Sequence, residues 1–157
     1  MAEPPSAVAD RYWLAEAVEL SRRCPPSAAA FSVGAVLVAA DGSVLSAGYS
    51  RQRDPADHAE QVVLDLAAEA GAGPSLLAGA TMYSSLEPCA ARASRPVPCA
   101  DLIIASGIRR VVIAWREPPL FVPGGGADRM RAAGLTVAVL PELAAAAMAV
   151  NAHLVPG

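Results

Sequence analysis

"EPCAARASRPVPC", residues Glu87 to Cys99, holds two of the three cysteines in the chain, each after a proline and with nine residues between them. Alone, the stretch is bland. Free cysteines are commonly buried as small hydrophobes, and proline belongs in loops. Its surroundings change the reading. Ala80 to Leu86, just upstream, is a short apolar run that predicts a strand, and Cys99 to Ser106, just downstream, reads as a helix closed by Gly107. The loop therefore joins the carboxyl end of a strand to the start of a helix. Open α/β sheets place ligand sites at that edge.

Working outward, the same grammar repeats. Val8 to Cys24 carries Trp13, Leu14, Ala17, Val18 and Leu20 at helical spacing, and the prolines at 25 and 26 stop it. Val33 to Ala39 and Val44 to Tyr49 flank the turn signal "ADG" and read as a β-hairpin. A polar loop leads into a helix from His58 to Ala70, which "GAGP" ends. Beyond the quoted loop come a strand at Arg109 to Trp115, a helix at Ala127 to Ala133 closed by Gly134, a strand at Leu135 to Leu140 and a helix from Pro141 to Asn151. The predicted order is α β β α β α β α β α. Strand–helix–strand succession implies parallel pairs with right-handed crossovers. The expected fold is α/β: a three-layer α/β/α sandwich whose five-stranded mixed sheet has strands three, four and five parallel, with helices on both faces.

Composition narrows the function. A chain of 157 residues suits one domain. Net charge is −3, no lysine is present, and aromatics make up 4%. Nucleic-acid binders need a basic stripe and often stacking platforms. Neither is visible, so no nucleic-acid partner is expected and a small molecule is the better substrate. No apolar run reaches membrane-spanning length, the N-terminus lacks the pattern of a signal peptide, and three cysteines make no disulfide framework. The expectation is a cytoplasmic protein with reduced thiols and no membrane partner.

The residues able to bind a soft metal are Cys24, Cys89, Cys99, His58 and His153. In "DHAEQ", residues 57 to 61, the plain reading is a capping box, with Asp57 as N-cap and Glu60 at N3. Joined to the quoted loop, the stretch reads differently. His58 and Cys99 each open a helix, and Cys89 follows a strand. Helix N-termini lower thiol pKa values. One imidazole and two thiolates leave the fourth position of a tetrahedral zinc open, the pattern of a catalytic site. Glu60 then stands beside the open position as a general base. Cys24 reads as a packed or idle thiol, His153 as uninvolved, and Gly124 to Gly126 as a loop near the pocket.

"HAE" followed by "EPC" and a second cysteine resembles the zinc-dependent cytidine-deaminase superfamily, whose signature is H-x-E…P-C-x-x-C. The long spacing between the cysteines is similar to the deaminase domain of bifunctional riboflavin-biosynthesis proteins. "GATMYSSLEPC", residues 79 to 89, looks like that branch's "GATVYVTLEPC". "PCADLIIASGIRRVVIAWREP" and "GGGADRMRAAGLTV" resemble it too, so the likeness runs from about Asp10 to the last helix. The resemblance implies Zn²⁺ on His58, Cys89 and Cys99. It implies hydrolysis at the ring carbon that bears an amino group, Glu60 shuttling the proton and ammonia leaving. It also implies that backbone N–H groups of Ala59 and Cys89 orient the ring.

The departures concern the substrate. An asparagine of the branch is matched by Ala30, a histidine by Ser50, and the loop's polar residues by "AARAS". Arg95 matches a basic residue that meets a phosphate, and Arg92 competes for that role; a solvated surface position is the plain alternative for both. The expected function is hydrolytic deamination of an aminopyrimidine or related amino-heterocycle. The riboflavin precursor, a diaminopyrimidinone ribosylamine 5′-phosphate, is the leading substrate, but weak binding or a different preference is expected from the lost polar groups. Within the class the alternatives are a cytidine, cytosine or deoxycytidylate deaminase and a deaminase of a specialised pathway. From another class the alternative is a non-catalytic zinc-binding module; against it, structural sites take four protein ligands. The resemblance further implies a homo-oligomer, dimer or tetramer. No fused reductase domain is read in the chain.

Overall fold

The computed structural model describes residues 6–92, 96–118 and 125–154. Helix α1 spans Ala7–Ser21 and starts on Ser6, whose hydroxyl accepts from the Ala9 N–H. It ends three residues before the expected Cys24. The N–H groups of Arg22 and Arg23 turn back onto Glu19 O and Leu20 O, tightening the chain ahead of the prolines. Strands β1 (Gly34–Val38) and β2 (Val44–Tyr49) form the expected hairpin, with a register shift between Leu37 and Val38. Next come α2 (Ala59–Glu69), a short α3 (Pro74–Ala78), β3 (Thr81–Ser84) and α4 (Cys99–Ser106). Then follow β4 (Arg110–Ile113), α5 (Gly126–Ala132), β5 (Thr136–Val139), a 3₁₀ turn at Pro141–Leu143 and α6 (Ala144–Val150).

Two corrections to the sequence reading emerge. Residues 74–78, taken as connection, make α3, because Pro74 sits at the first helical position, where its missing N–H costs nothing. The last helix opens as a 3₁₀ turn and becomes α-helical only at Ala144.

The sheet order is β2-β1-β3-β4-β5. β1 is antiparallel to β2 and to β3, while β3, β4 and β5 are parallel, as the succession of elements predicts. Side chains alternate between two cores. Ala35, Leu37, Met82, Val111 and Ile113 face α2, α4 and α5, where they meet Ala59, Val63, Ile103 and Met130. Val36, Val38, Tyr83 and Val112 face α1 and α6, where they meet Leu14, Ala17, Val18 and Ala147. At Gly34 a Cβ would lie 1.9 Å from Ala17 O, so only glycine lets α1 approach the sheet this closely.

The α1 side buries one ion pair. Asp10 accepts from both arms of the Arg110 guanidinium, at 2.9 and 2.6 Å, and from the Tyr83 hydroxyl at 2.7 Å. Burial pushes the carboxyl up, but these hydrogen bonds and the Arg110 charge outweigh it and hold Asp10 below its ordinary value. Burial and the Asp10 carboxylate push the Tyr83 phenol up. Among the described residues no helix is long and apolar enough to cross a membrane.

Candidate metal centre and active-site cavity

The carboxyl end of β3 runs directly into the quoted loop. Glu87 N donates to Trp115 O at 2.8 Å, so the segments after β3 and β4 leave the sheet together. Pro88 is held by the start of α5: a Cβ on Gly126 would lie 1.7 Å from Pro88 O. The Glu87 carboxylate accepts from Glu117 N at 2.9 Å and from Ala127 N at 2.7 Å, fastening both following segments to the loop. Cys89 is thereby set beside the N-terminus of α4, where Cys99 N donates to Cys89 Sγ at 3.3 Å and Ala100 N to Cys89 O at 3.0 Å.

His58 does not open α2 as a helical residue. It is the extended N-cap, and its ring makes no cap bond. The capping box is not formed. The Asp57 carboxylate accepts from Arg53 N and Asp54 N, and Glu60 turns inward. His58 is thus free to point at the thiols: Nδ1 lies 3.6 Å from Cys89 Sγ and 3.5 Å from Cys99 Sγ. A tetrahedral zinc with imidazole and thiolate ligands holds nitrogen and sulfur about 3.6 Å apart. The possible ligand atoms of His58, Cys89 and Cys99 all lie within 4.8 Å of one another, and one nitrogen with two sulfurs is a donor set that zinc favours. The residues fit the metal. The Cys99 hydrogen bond and then the His58 contact hold Cys89 well down against burial, while the same bond and burial push Cys99 up.

Glu60 is 3% exposed. Burial pushes its carboxyl up, partly countered by the Ser84 hydrogen bond. The Ser84 hydroxyl lies 2.6 Å from Glu60 Oε1 and 2.7 Å from Leu86 O. A hydroxyl has one hydrogen for these two acceptors. Both contacts are satisfied when Glu60 carries the proton, so Ser84 supports a carboxyl that can hold and release one.

These groups open onto a cavity of about 360 Å³. His58, Glu60, Cys89, Ala30, Ser50 and Arg92 are among the residues that line it. The Ser50 hydroxyl accepts from Val33 N at 3.1 Å. Ala59 is buried in the first turn of α2 and is not among the lining residues. Arg92 donates to Gln61 Oε1, Ala56 O and Cys99 Sγ. Arg95 and Gly124 lie outside the described residues. Cys24 donates to Val33 O, and His153 lies against Ser27 O, so neither joins the metal cluster.

Sequence reasoning missed Arg51 and Glu117. Arg51 stands at φ 60, unusual for a residue with a side chain. Its guanidinium donates to Pro25 O, Phe31 O and Ser32 Oγ, bracing the opposite cavity wall. Among the described residues Glu117 Oε2 is buried without a hydrogen-bond partner. Burial, then the charges of Cys89, Glu60 and Glu87, push Glu117 up to about 8. Glu117 carried one legible signal, its place just beyond a parallel strand. Arg51 carried none.

Residues 7–115 match the family model of the cytidine and deoxycytidylate deaminase zinc-binding region. The chain belongs to this family. Members similar to it include the diaminohydroxyphosphoribosylamino-pyrimidine deaminase of Schizosaccharomyces pombe, 38% identical over 80% of this chain and 30% of the relative. The riboflavin biosynthesis protein RibD of Escherichia coli is 37% identical over 82% of this chain and 33% of its own length. The chain thus spans about a third of the curated relatives it matches. Among solved family structures, Acinetobacter baumannii RibD superposes with TM-score 0.74 at 28% identity, covering 94% of this chain and 39% of that one. The Aspergillus oryzae Rib2 deaminase complex with DARIPP superposes with TM-score 0.73 at 25% identity, covering 93% of this chain and 96% of that one.

Proposed function

We propose that the protein is a zinc-dependent hydrolytic deaminase of an aminopyrimidine, with the phosphoribosylamino-pyrimidine of riboflavin biosynthesis as its substrate class. The observation that carries the reading is the triangle of His58 Nδ1 and two thiols at tetrahedral spacing, with Glu60 lining the same cavity. His58, Cys89 and Cys99 hold the zinc. When bound, the ion supplies Lewis acidity, making water acidic enough to lose a proton near neutral pH. Glu60 would take one proton from the water and pass it to the ring nitrogen, then take the second from the newly added hydroxyl and pass it to the amino group, so that the C–N bond breaks and ammonia leaves neutral. Ser84 holds Glu60 Oε1 in line for both transfers. Cys99 N, directed at Cys89 Sγ, keeps that thiol ionised.

The substrate class rests on relatives whose names carry this pyrimidine and on the DARIPP complex of the Aspergillus enzyme. Ala30 in the cavity wall and the engaged hydroxyl of Ser50 remove polar contacts, so this chain binds the precursor weakly or prefers a relative of it. A cytoplasmic homo-oligomer, dimer or tetramer, completes the reading; light scattering tests its size. Ammonia release from the riboflavin precursor, dCMP, CMP, cytidine and cytosine tests the activity. No release from any of these by zinc-loaded protein overturns the reading.

A further inference from the structure

The geometry points to Arg92 as a positioning residue for Cys99, one that sets how tightly the site holds its metal. The inference rests on the zinc site proposed above and concerns a residue with no assigned role there. The half-buried Arg92 guanidinium joins three segments. Nη2 donates to Ala56 O at 2.9 Å, in the loop before α2. Nη1 donates to Gln61 Oε1 at 3.0 Å, in the first turn of α2, and approaches Cys99 Sγ at 3.7 Å, at the first residue of α4. One planar fork thus ties the loop between the cysteines to the helix that carries His58 and Glu60. Arginine does this where lysine cannot, because its donors are held in a rigid plane.

The arrangement also completes the second layer around the sulfurs. Cys89 Sγ receives the N–H of Cys99, and Cys99 Sγ receives the N–H of Arg92. The donor that reaches Cys99 is charged. Such outer contacts fix a ligand's orientation and draw off excess electron density from the thiolate. The cavity around them is rich in carboxylates, Asp57, Glu60, Glu87 and Glu117. The Arg92 guanidinium sets a cation beside Cys99 within this acidic lining. Both terminal nitrogens of Arg92 are already directed at protein acceptors, which is the stance of a brace and not of a hand extended to a substrate phosphate.

Zinc-loaded wild-type protein and the variants Arg92→Met, Arg92→Lys and Gln61→Ala are challenged with a chromogenic chelator, and zinc loss is followed over time. Arg92→Met is expected to release zinc about 10–100-fold faster, the usual cost of removing an outer partner. Arg92→Lys should fall between Arg92→Met and wild type, and Gln61→Ala should show the smallest change. The cobalt-substituted proteins provide a readout that a merely structural role would not move. The thiolate-to-cobalt charge-transfer band should shift in Arg92→Met and stay in place in Gln61→Ala. Wild-type release rates in Arg92→Met with an unmoved band overturn the inference. So does a raised KM confined to phosphorylated substrates with zinc retention unchanged, which would assign Arg92 to the substrate. Should Arg92→Met fail to fold, Arg92→Lys decides: a several-fold faster release supports the inference, and a wild-type rate overturns it. A wild-type protein that takes up no zinc would instead defeat the site reading itself, a result distinguishable from either outcome.

Discussion

Asp10 and Glu60 are both buried carboxylates, and the sheet separates them. Their exposures are alike, 6% and 3%, so burial alone does not distinguish them. Their partners do. Asp10 meets a guanidinium through two hydrogen bonds and a phenol through a third, and its pKa is depressed. Glu60 meets a hydroxyl and the His58 ring, and its pKa is raised. The α1 side spends a cation to keep its acid ionised and fixed. The α2 side leaves its acid able to take up and lose a proton. A guanidinium partner thus lowers the pKa of one buried acid, while burial against a neutral hydroxyl raises that of the other.

That contrast can be broken by experiment. The largest effect is expected from the metal. Prolonged chelation should abolish ammonia release, and added Zn²⁺ should restore it; full activity in metal-free protein, verified by elemental analysis, contradicts the mechanism. Next, Glu60→Gln should retain zinc and lower kcat by about 10²–10⁴-fold, the usual loss when a general acid–base is removed. Its thermal stability should hold or rise, since a neutral amide replaces an acid whose charged form burial disfavours. A large stability loss with near-normal kcat would make Glu60 a structural residue like Asp10.

Asp10→Asn should do the converse. It leaves the partly buried Arg110 without its anion, at a cost of about 3 kcal/mol, the low end for a broken buried pair, measurable by urea unfolding, with kcat unchanged across the sheet. The smallest effect is the pH dependence of that cost. The folded pKa of Asp10 lies below its unfolded value, about 3.9. Its contribution is therefore complete above that value and is lost as pH falls through the folded pKa. The gap between wild type and Asp10→Asn should stay constant from pH 7 to about 5 and close below about 4. A gap that closes toward neutral pH would contradict the pairing.

The two regions also differed in how far the sequence disclosed them. His58, Glu60, Cys89 and Cys99 were legible because each belongs to a short motif at an element boundary, and the α/β succession brought those boundaries to one edge. The parallel strands β3, β4 and β5 followed from the same succession. Asp10 and Arg110 were not legible as a pair. They stand 100 residues apart, on elements whose facing sides no local window defines. Glu87 was quoted within its motif yet given no role, because its carboxylate works on N–H groups 30 and 40 residues downstream. The capping box at Asp57, the plain reading of its stretch, does not form. Its residues had the right spacing, but a metal-directed N-cap and an inward acid displaced the local solution.

Asn151, at the end of α6, accepts from Ser32 N at 2.7 Å and donates to Ser32 O at 3.0 Å, and Ser32 Oγ in turn accepts from Arg51. This chain of contacts reaches the wall that carries Phe31 and Ala30. Asn151 lies beyond residues 7–115, the stretch shared with the family model. A chain cut at Leu140 would keep every strand, every metal ligand and Glu60, yet lose the outermost anchor of its cavity wall. Boundaries for crystallisation, fusion or grafting should therefore be drawn by the bracing of the wall and not by the motif that holds the metal.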